Sequence, residues 1–209
     1  MYIARHDLAF LQAQVLTPVE PLASVRLEEL QANQIGAVLE TYRVLGHRHP
    51  EGRPQRRFAN GLRFGRLWLG DRLAGSLWVA HAGHRYIDEM NWRLPLNEGQ
   101  FWLRDVFVAP ALRGRRLFVH MLHLVARQWL PRFECAWSDV DWDNDASIKA
   151  HIAAGFAVRH RVRCLDLNGQ LRLRDPVIPW PAPVAAMQPR QRWLRLAGER
   201  LRQHQEWVA

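Results

Sequence analysis

A chain of 209 residues with 48% hydrophobic and 23% charged residues has the composition of an ordinary globular protein and enough apolar material for one full core. Twenty-nine Lys and Arg against 20 Asp and Glu give a formal charge of +9, which favours an anionic partner: a nucleotide-containing cofactor, nucleic acid or an acidic membrane surface. Two cysteines, Cys135 and Cys164, exclude a disulfide framework, and no Cys-x-x-Cys spacing offers a metal knuckle. No apolar run is long enough to span a bilayer, and the start of the chain, with Asp7 close to Met1, does not read as a signal peptide. The expected setting is the reducing cytoplasm.

Residues 1–21 carry no clear period; a strand within 10–19 would be interrupted by Pro18 and Pro21. Leu27, Leu30, Ile35, Val38, Leu39 and Tyr42 recur at helical spacing and predict a helix over 27–45, stopped by Gly46. Residues 47–57, rich in arginine and histidine and holding Pro50 and Pro54, read as a loop. Two strand patterns, 62–69 and 73–80, flank the turn Gly70-Asp71-Arg72.

A polar section with Asp88 and Glu89 then leads to a third strand at 101–108. A helix is expected over 117–130, ending at Pro131, followed by a strand at 133–140. Asp143-Asn144-Asp145 supplies cap chemistry for a helix over 146–154, with Gly155 at its C-terminal end. A last long strand, 156–167, turns at Asn168-Gly169 into 171–174.

Five prolines in 176–189 read as a surface strap, and 191–207 as a basic amphipathic helix docked on the domain, with an anionic membrane surface as its other destination. The organisation is therefore one domain, 1–175, with an appended 176–209. Its class is α/β (α+β), a mixed, mainly antiparallel central sheet flanked by helices.

The segment joining the third strand to the next helix carries the chemistry. Val106 and Val108 end the strand, and Arg113-Gly114-Arg115-Arg116 opens the helix that continues through Leu117 and Phe118. Free N–H groups at a helix start, its dipole and forked guanidinium donors together suit phosphate oxygens. A basic turn that binds nothing has the same composition.

Two motifs in order resolve that ambiguity: Val-x-Pro followed by Arg-Gly-x-x-Leu-Phe, and the run from Asn144 to Gly155-Phe156. Together they resemble the hallmarks of the GCN5-related N-acetyltransferase (GNAT) superfamily over about residues 22–170. The resemblance implies a GNAT-like acyl-CoA N-acyltransferase fold and direct attack of an acceptor amine on an acyl-CoA thioester, with acetyl-CoA as the expected co-substrate. It implies that Arg113, Gly114, Arg115, Arg116, Leu117 and Phe118 hold the pyrophosphate. Val106 and Val108 would face the pantetheine arm, and Asn144 would contact the cofactor.

Arg116 stands where the family has glycine, and Phe118 replaces a small residue. His151 takes the place of a tyrosine that protonates the leaving thiolate, a role imidazole can fill near neutral pH; the other reading is that it only packs a surface helix. Asp105 lies on the strand between apolar neighbours, its face shared with Leu103 and Phe107 and opposite Arg104, Val106 and Val108. Burial there would raise its pKa and suit it as the base; the other reading is that Asp105 only bonds a neighbouring arginine.

Asp88 and Glu89 are the rivals on the acceptor side, where Trp78 is the aromatic candidate; most of the tryptophans read as core and rim packing. The acidic residues lean toward a cationic amine, the arginine-rich 47–57 toward an anionic one. His47, His49, His81 and His84 lack ligand spacing, so no metal is expected.

Beside the acyltransferase stands a catalytically inactive acyl-CoA- or anion-binding protein of the same fold. Nucleic acid is not expected as a partner, since charge alone points to it. Contact of the C-terminal helix with an anionic surface and a homodimer are compatible with the sequence.

Overall fold

The computed structural model describes residues 3–47, 52–87, 92–130, 132–167 and 170–173. Eight strands make one sheet: β1 (Ile3–Ala13), β2 (Val25–Leu30), β3 (Arg63–Leu69), β4 (Arg72–Ile87), β5 (Trp92–Val108), β6 (Cys135–Asp141), β7 (Ala157–Leu167) and β8 (Gln170–Leu173). Their order is β2-β3-β4-β5-β6-β1-β7-β8. The helices are α1 (Ile35–Leu45), α2 (Arg53–Ala59), α3 (Leu117–Trp129) and α4 (Asp145–Ala153). The β5–β6 pair is parallel and the other pairings are antiparallel, so the sheet is mixed and mainly antiparallel, as expected. The parallel pair is the one joined through a helix, α3, because parallel neighbours need a crossover and a hairpin cannot supply one.

Residues alternate along β4 between two cores. Leu77 and Val79 pack on one face with Val119, Leu122 and Val125 of α3. Trp78 packs on the other with Val38 and Tyr42 of α1 and with Phe64 of β3. Helices thus cover both faces. The thiol of Cys135 is buried, and burial pushes it up.

Three expectations need correction. The predicted helix 27–45 is two elements: β2, and then α1 from Ile35. Val25 and Leu27 alternate inward on β2, while Glu28 pairs with Arg66 at 2.7 Å and Glu29 with Arg63, both on β3. Tertiary pairing outweighs a helical spacing that runs by accident across the junction. Gly46 does stop α1, at φ +69.

The region 1–21 holds β1, in the interior of the sheet between β6 and β7. From Leu8 to Leu11 every residue is buried, so β1 lacks the alternation that marks a half-exposed strand. The loop 47–57 gives way to α2 at Arg53. Its start is marked by Gly52 at φ +71 and by Pro54 in the first turn, where a missing N–H costs nothing.

β5 is kinked where it matters. Trp78 pairs with Arg104 and Ser76 with Phe107, so the single residue Leu77 opposes both Asp105 and Val106. This is a β-bulge, with Asp105 at φ +43. It cancels the strict alternation expected along 103–108 and puts Asp105 on the α1–α2 side, together with Arg57. Beside it, Gly75 is required: a Cβ there would lie 2.4 Å from the Phe107 carbonyl oxygen.

Candidate active site

The parallel ladder between β5 and β6 runs from Gln100↔Cys135 to Leu103↔Ser138 and ends there, although β5 continues to Val108 and β6 to Asp141. Past Leu103 the bulge turns β5 away from its partner, and a cleft of about 230 Å³ opens between the strands. Leu103, Arg104, Asp105 and Val106 line it from β5, Ser138 to Asp141 from β6, and Asn144, Ser147 and His151 from α4. Arg85 reaches in from β4. A splayed pair exposes backbone groups that a closed ladder would have consumed. It opens at the carboxyl ends of two parallel strands, where α/β sheets place their ligands.

The basic segment follows directly from that end. After β5 the chain makes one 3-10 turn, Pro110–Leu112, then passes through Gly114 at φ +79 and Arg116 at φ +56 into α3. Arg113, Arg115 and Arg116 are exposed, as is Gly114. The first intrahelical bond here runs from the His120 N–H to the Arg116 carbonyl, so the earlier amides of α3 have no acceptor within the helix. Leu117 is buried in the core beneath the loop. Phe118 packs its ring 4.7 Å from His151. The Val106 side lines the cleft, whereas Val108 pairs with Gly75 and its carbonyl accepts from Arg113 Nε at 3.3 Å.

The other wall hangs on α4. Asn144 is its N-cap, with Oδ1 accepting the Ser147 N–H at 3.1 Å. Asn144 therefore both caps the helix and faces the cleft. One turn past Ser147, His151 is only 5% exposed, wedged between Phe118 and Phe156, whose ring lies 5.1 Å away. Its Nδ1 lies 2.7 Å from the Ser147 carbonyl, which can only accept, so Nδ1 carries the proton. Nε2 is then a lone pair, buried and without a hydrogen-bond partner among the described residues. Burial pushes the His151 pKa down, against the opposing pull of the Ser147 carbonyl and Asp139. A lowered pKa favours the neutral imidazole at rest, the form that can accept a proton at Nε2.

Asp105 differs from expectation. Burial alone would raise its pKa, but Arg57, Arg104 and Arg53 outweigh that and hold the carboxyl down to about 2. Arg57, 1% exposed, donates to Asp105 at 2.6 Å, and Arg53 lies 3.9 Å from the same oxygen. A carboxylate so held is a poor proton acceptor near neutrality. Behind it Arg57 lies over the Trp78 ring, 5.2 Å from the centroid, and Trp78 Nε1 donates to the Tyr42 hydroxyl. Trp78 is fully buried in the second core and does not line the cleft, which corrects its place as an acceptor-side candidate. Asp88 and Glu89, like 176–209 and the Asn168-Gly169 turn, fall outside the described residues.

Sequence reasoning missed Arg85, Ser138 and Asp139, and took Arg53 and Arg57 only as part of the arginine-rich 47–57. Arg85, 4% exposed, pairs with Asp139 at 3.2 Å, and Trp102 Nε1 donates to the same carboxylate. Pro54 after Gly52 was the available signal for α2 and its arginines. The Arg85–Asp139 pair spans 54 positions and leaves no local trace. Among the described residues no group of three or more His, Cys, Asp or Glu side chains is placed to hold a metal ion, and no helix is long and apolar enough to cross a membrane.

No family model and no curated protein matches the chain. Solved structures do. A GNAT-family protein from Novosphingobium aromaticivorans aligns with a TM-score of 0.50 and 16% identity, covering 77% of this chain and 63% of its own length. A functionally unknown conserved protein from Staphylococcus epidermidis aligns at 0.53 and 9% identity, covering 78% and 62%. An acetyltransferase of the GNAT family from Colwellia psychrerythraea aligns at 0.48 and 17% identity, covering 78% and 56%. The chain spans about three fifths of the length of these structures. Its fold is that of the GNAT superfamily of acyl-CoA N-acyltransferases.

Proposed function

We propose that the chain is an acyl-CoA-dependent N-acyltransferase, with acetyl-CoA as its simplest donor, that transfers the acyl group to an amine on an acceptor molecule. The observation that carries this reading is the buried Nε2 of His151, unpartnered among the described residues, on a cleft opened by the splay of β5 from β6. The residues present fit such a donor. Arg113 to Phe118 offer amides and guanidinium groups for the pyrophosphate, Val106 walls the pantetheine path, and Asn144, the α4 cap, lines the same cleft.

Acyl-CoA supplies a thioester carbonyl. The new N–C bond forms as the C–S bond breaks, and the amine must shed a proton that the leaving thiolate must gain. His151 Nε2, neutral at rest, accepts that proton, and the resulting imidazolium returns it to sulfur. One residue thereby serves as base and then as acid. Asp105 is a positioning residue in this scheme: its ion pair with Arg57 ties the bulge to α2. Holding the two substrates together supplies much of the remaining rate.

Isothermal titration with acetyl-CoA tests the reading. Binding is expected, and Arg113→Glu abolishes it; a wild-type protein that does not bind overturns the proposal. Thiol release in the presence of amines then separates the enzyme from the inactive acyl-CoA-binding protein of the same fold.

A further inference from the structure

We infer that the hydroxyl of Ser138, at the closed end of the cleft, hydrogen-bonds the thioester carbonyl oxygen of the acyl donor; this rests on the acyltransferase reading. The β5–β6 ladder closes on the pair Leu103↔Ser138 and splays beyond it. Ala136 and Val140 belong to the core on the α3 side, and strand alternation puts Ser138, between them, on the same face. Leu103 belongs to that core too. The last rung of the ladder therefore presents one leucine and one serine to the α3 side of the cleft.

Ser138 is only 4% exposed, yet its hydroxyl makes no hydrogen bond to another of the described residues. A buried hydroxyl without a partner costs stability that an alanine at the same place would not. His151 Nε2 is a second such group on this cleft, and the two are complementary: Nε2 presents a lone pair to an N–H, whereas a hydroxyl can donate to a carbonyl. Around them, Asp139 is taken by Arg85 and Trp102 Nε1, Asp105 by Arg57, and Asn144 by the Ser147 N–H.

The orientation of the donor follows from the two ends of the cleft. With its pyrophosphate at Arg113 to Phe118, just beyond β5, the acyl group lies at the far end of the pantetheine arm. Five residues of β5, about 15 Å of strand, separate Val108 from Leu103, a length that an extended pantetheine arm covers. The acyl group thus arrives beside Ser138, with Leu103 and Val140 as apolar walls. As the amine attacks, an electron pair of the C=O bond moves onto oxygen, and it returns when the C–S bond breaks. The Ser138 hydrogen bond strengthens while that oxygen carries charge, so the contact that seats the donor also favours the transition state.

Calorimetry with a matched pair of ligands tests the inference: acetyl-CoA, and S-ethyl-CoA, which keeps a chain of the same size on sulfur but lacks the carbonyl oxygen. Ser138→Ala is expected to raise the acetyl-CoA Kd about fivefold, the worth of one uncharged hydrogen bond, and to leave the S-ethyl-CoA Kd within about twofold of the wild type. Its Tm is expected to stay level or rise, because the hydroxyl it removes is buried without a partner. An acetyl-CoA Kd that does not move overturns the inference. Equal weakening of both ligands overturns it as well, and assigns the hydroxyl to the pantetheine amides. So does a Tm lowered by more than about 3 °C, the mark of a structural partner within the protein. Failure of the wild type to bind acetyl-CoA is a different result and removes the reading underneath.

Discussion

On the α3 side the cleft is lined from two short stretches of chain, within 103–106 and 138–151, each a strand end that runs on through a turn to a helix start. On the α1–α2 side the same cleft is backed by pairs that are remote in sequence: Arg57 to Asp105 over 48 positions and Arg85 to Asp139 over 54. The first side is positioned by local backbone geometry, the second by buried polar contacts across the sheet. Local geometry tolerates side-chain change and fails at single backbone positions. Cross-sheet pairs tolerate backbone change and fail when one partner is removed, because the other is left as an uncompensated buried charge.

The largest effect is expected on the local side, at His151. Replacing His151 with Gln removes the proton carrier, and turnover is expected to fall by about a hundredfold or more, the ordinary worth of a general base. The acetyl-CoA Kd stays close to that of the wild type, since the loop and Val106 are untouched. A drop of only about twofold in kcat would move the proton transfer to another group and leave His151 as packing between Phe118 and Phe156.

The next effect belongs to the remote side. Arg57→Met keeps the hydrocarbon over Trp78 but takes from Asp105 its nearest partner, leaving Arg53 and Arg104, and about 2 kcal/mol of stability is expected to be lost in urea denaturation. Asp105→Asn, at a side chain 30% exposed, is milder. If Arg57→Met costs under about 1 kcal/mol, the pair is ornament and the comparison of the two sides collapses.

The same contrast explains what the sequence could tell. The β5–α3 and β6–α4 connections carry their instructions locally: a strand pattern, Pro110, Gly114, then Asn144 as cap and Gly155 at φ +99. Those are the positions that the two motifs captured, together with the fold. β1 was opaque because it is buried on both faces and lacks a period of two. β2 was hidden because Leu27 and Leu30 fall into helical phase with α1 by chance. The low pKa of Asp105 depends on arginines brought in by a helix that the composition of 47–57 disguised as loop. Burial of a carboxylate is legible from its neighbours in sequence; its counter-ion is not.

Acid separates the two sides by pH. Burial depresses His81, His120, His151 and His160 below the ordinary 6.5 of histidine, so the unfolded chain takes up protons first as pH falls. Stability is expected to decline from about pH 6.5 downward and to level off below the folded-state values, with His151→Gln removing part of that slope. Asp105 acts in a later window. Its carboxyl, held to about 2 instead of 3.8, stabilises the fold above its unfolded value, and that contribution is lost as pH falls through about 2. Urea titrations from pH 7 to 3 would resolve the first window; a flat profile between 7 and 5 removes it.

The smallest effect is the sharpest test of the local side, at Arg116. Its φ of +56 costs a residue with a Cβ about 1 kcal/mol, its side chain is exposed, and as N-cap of α3 it makes no capping bond. A cation at a helix N-terminus is also disfavoured by the dipole. Arg116→Gly relieves both penalties and in return loosens the unfolded chain, so a net stabilisation of somewhat under about 1 kcal/mol is expected. Arg116→Ala removes the charge and keeps the strain, and separates the two terms. Such a residue is retained against its own stability if its guanidinium serves a ligand. Arg116→Gly should then weaken acetyl-CoA binding even as it raises the Tm. A variant that gains stability and binds as well as the wild type would make Arg116 a passive departure from glycine, leaving the backbone amides and Arg113 to hold the phosphates.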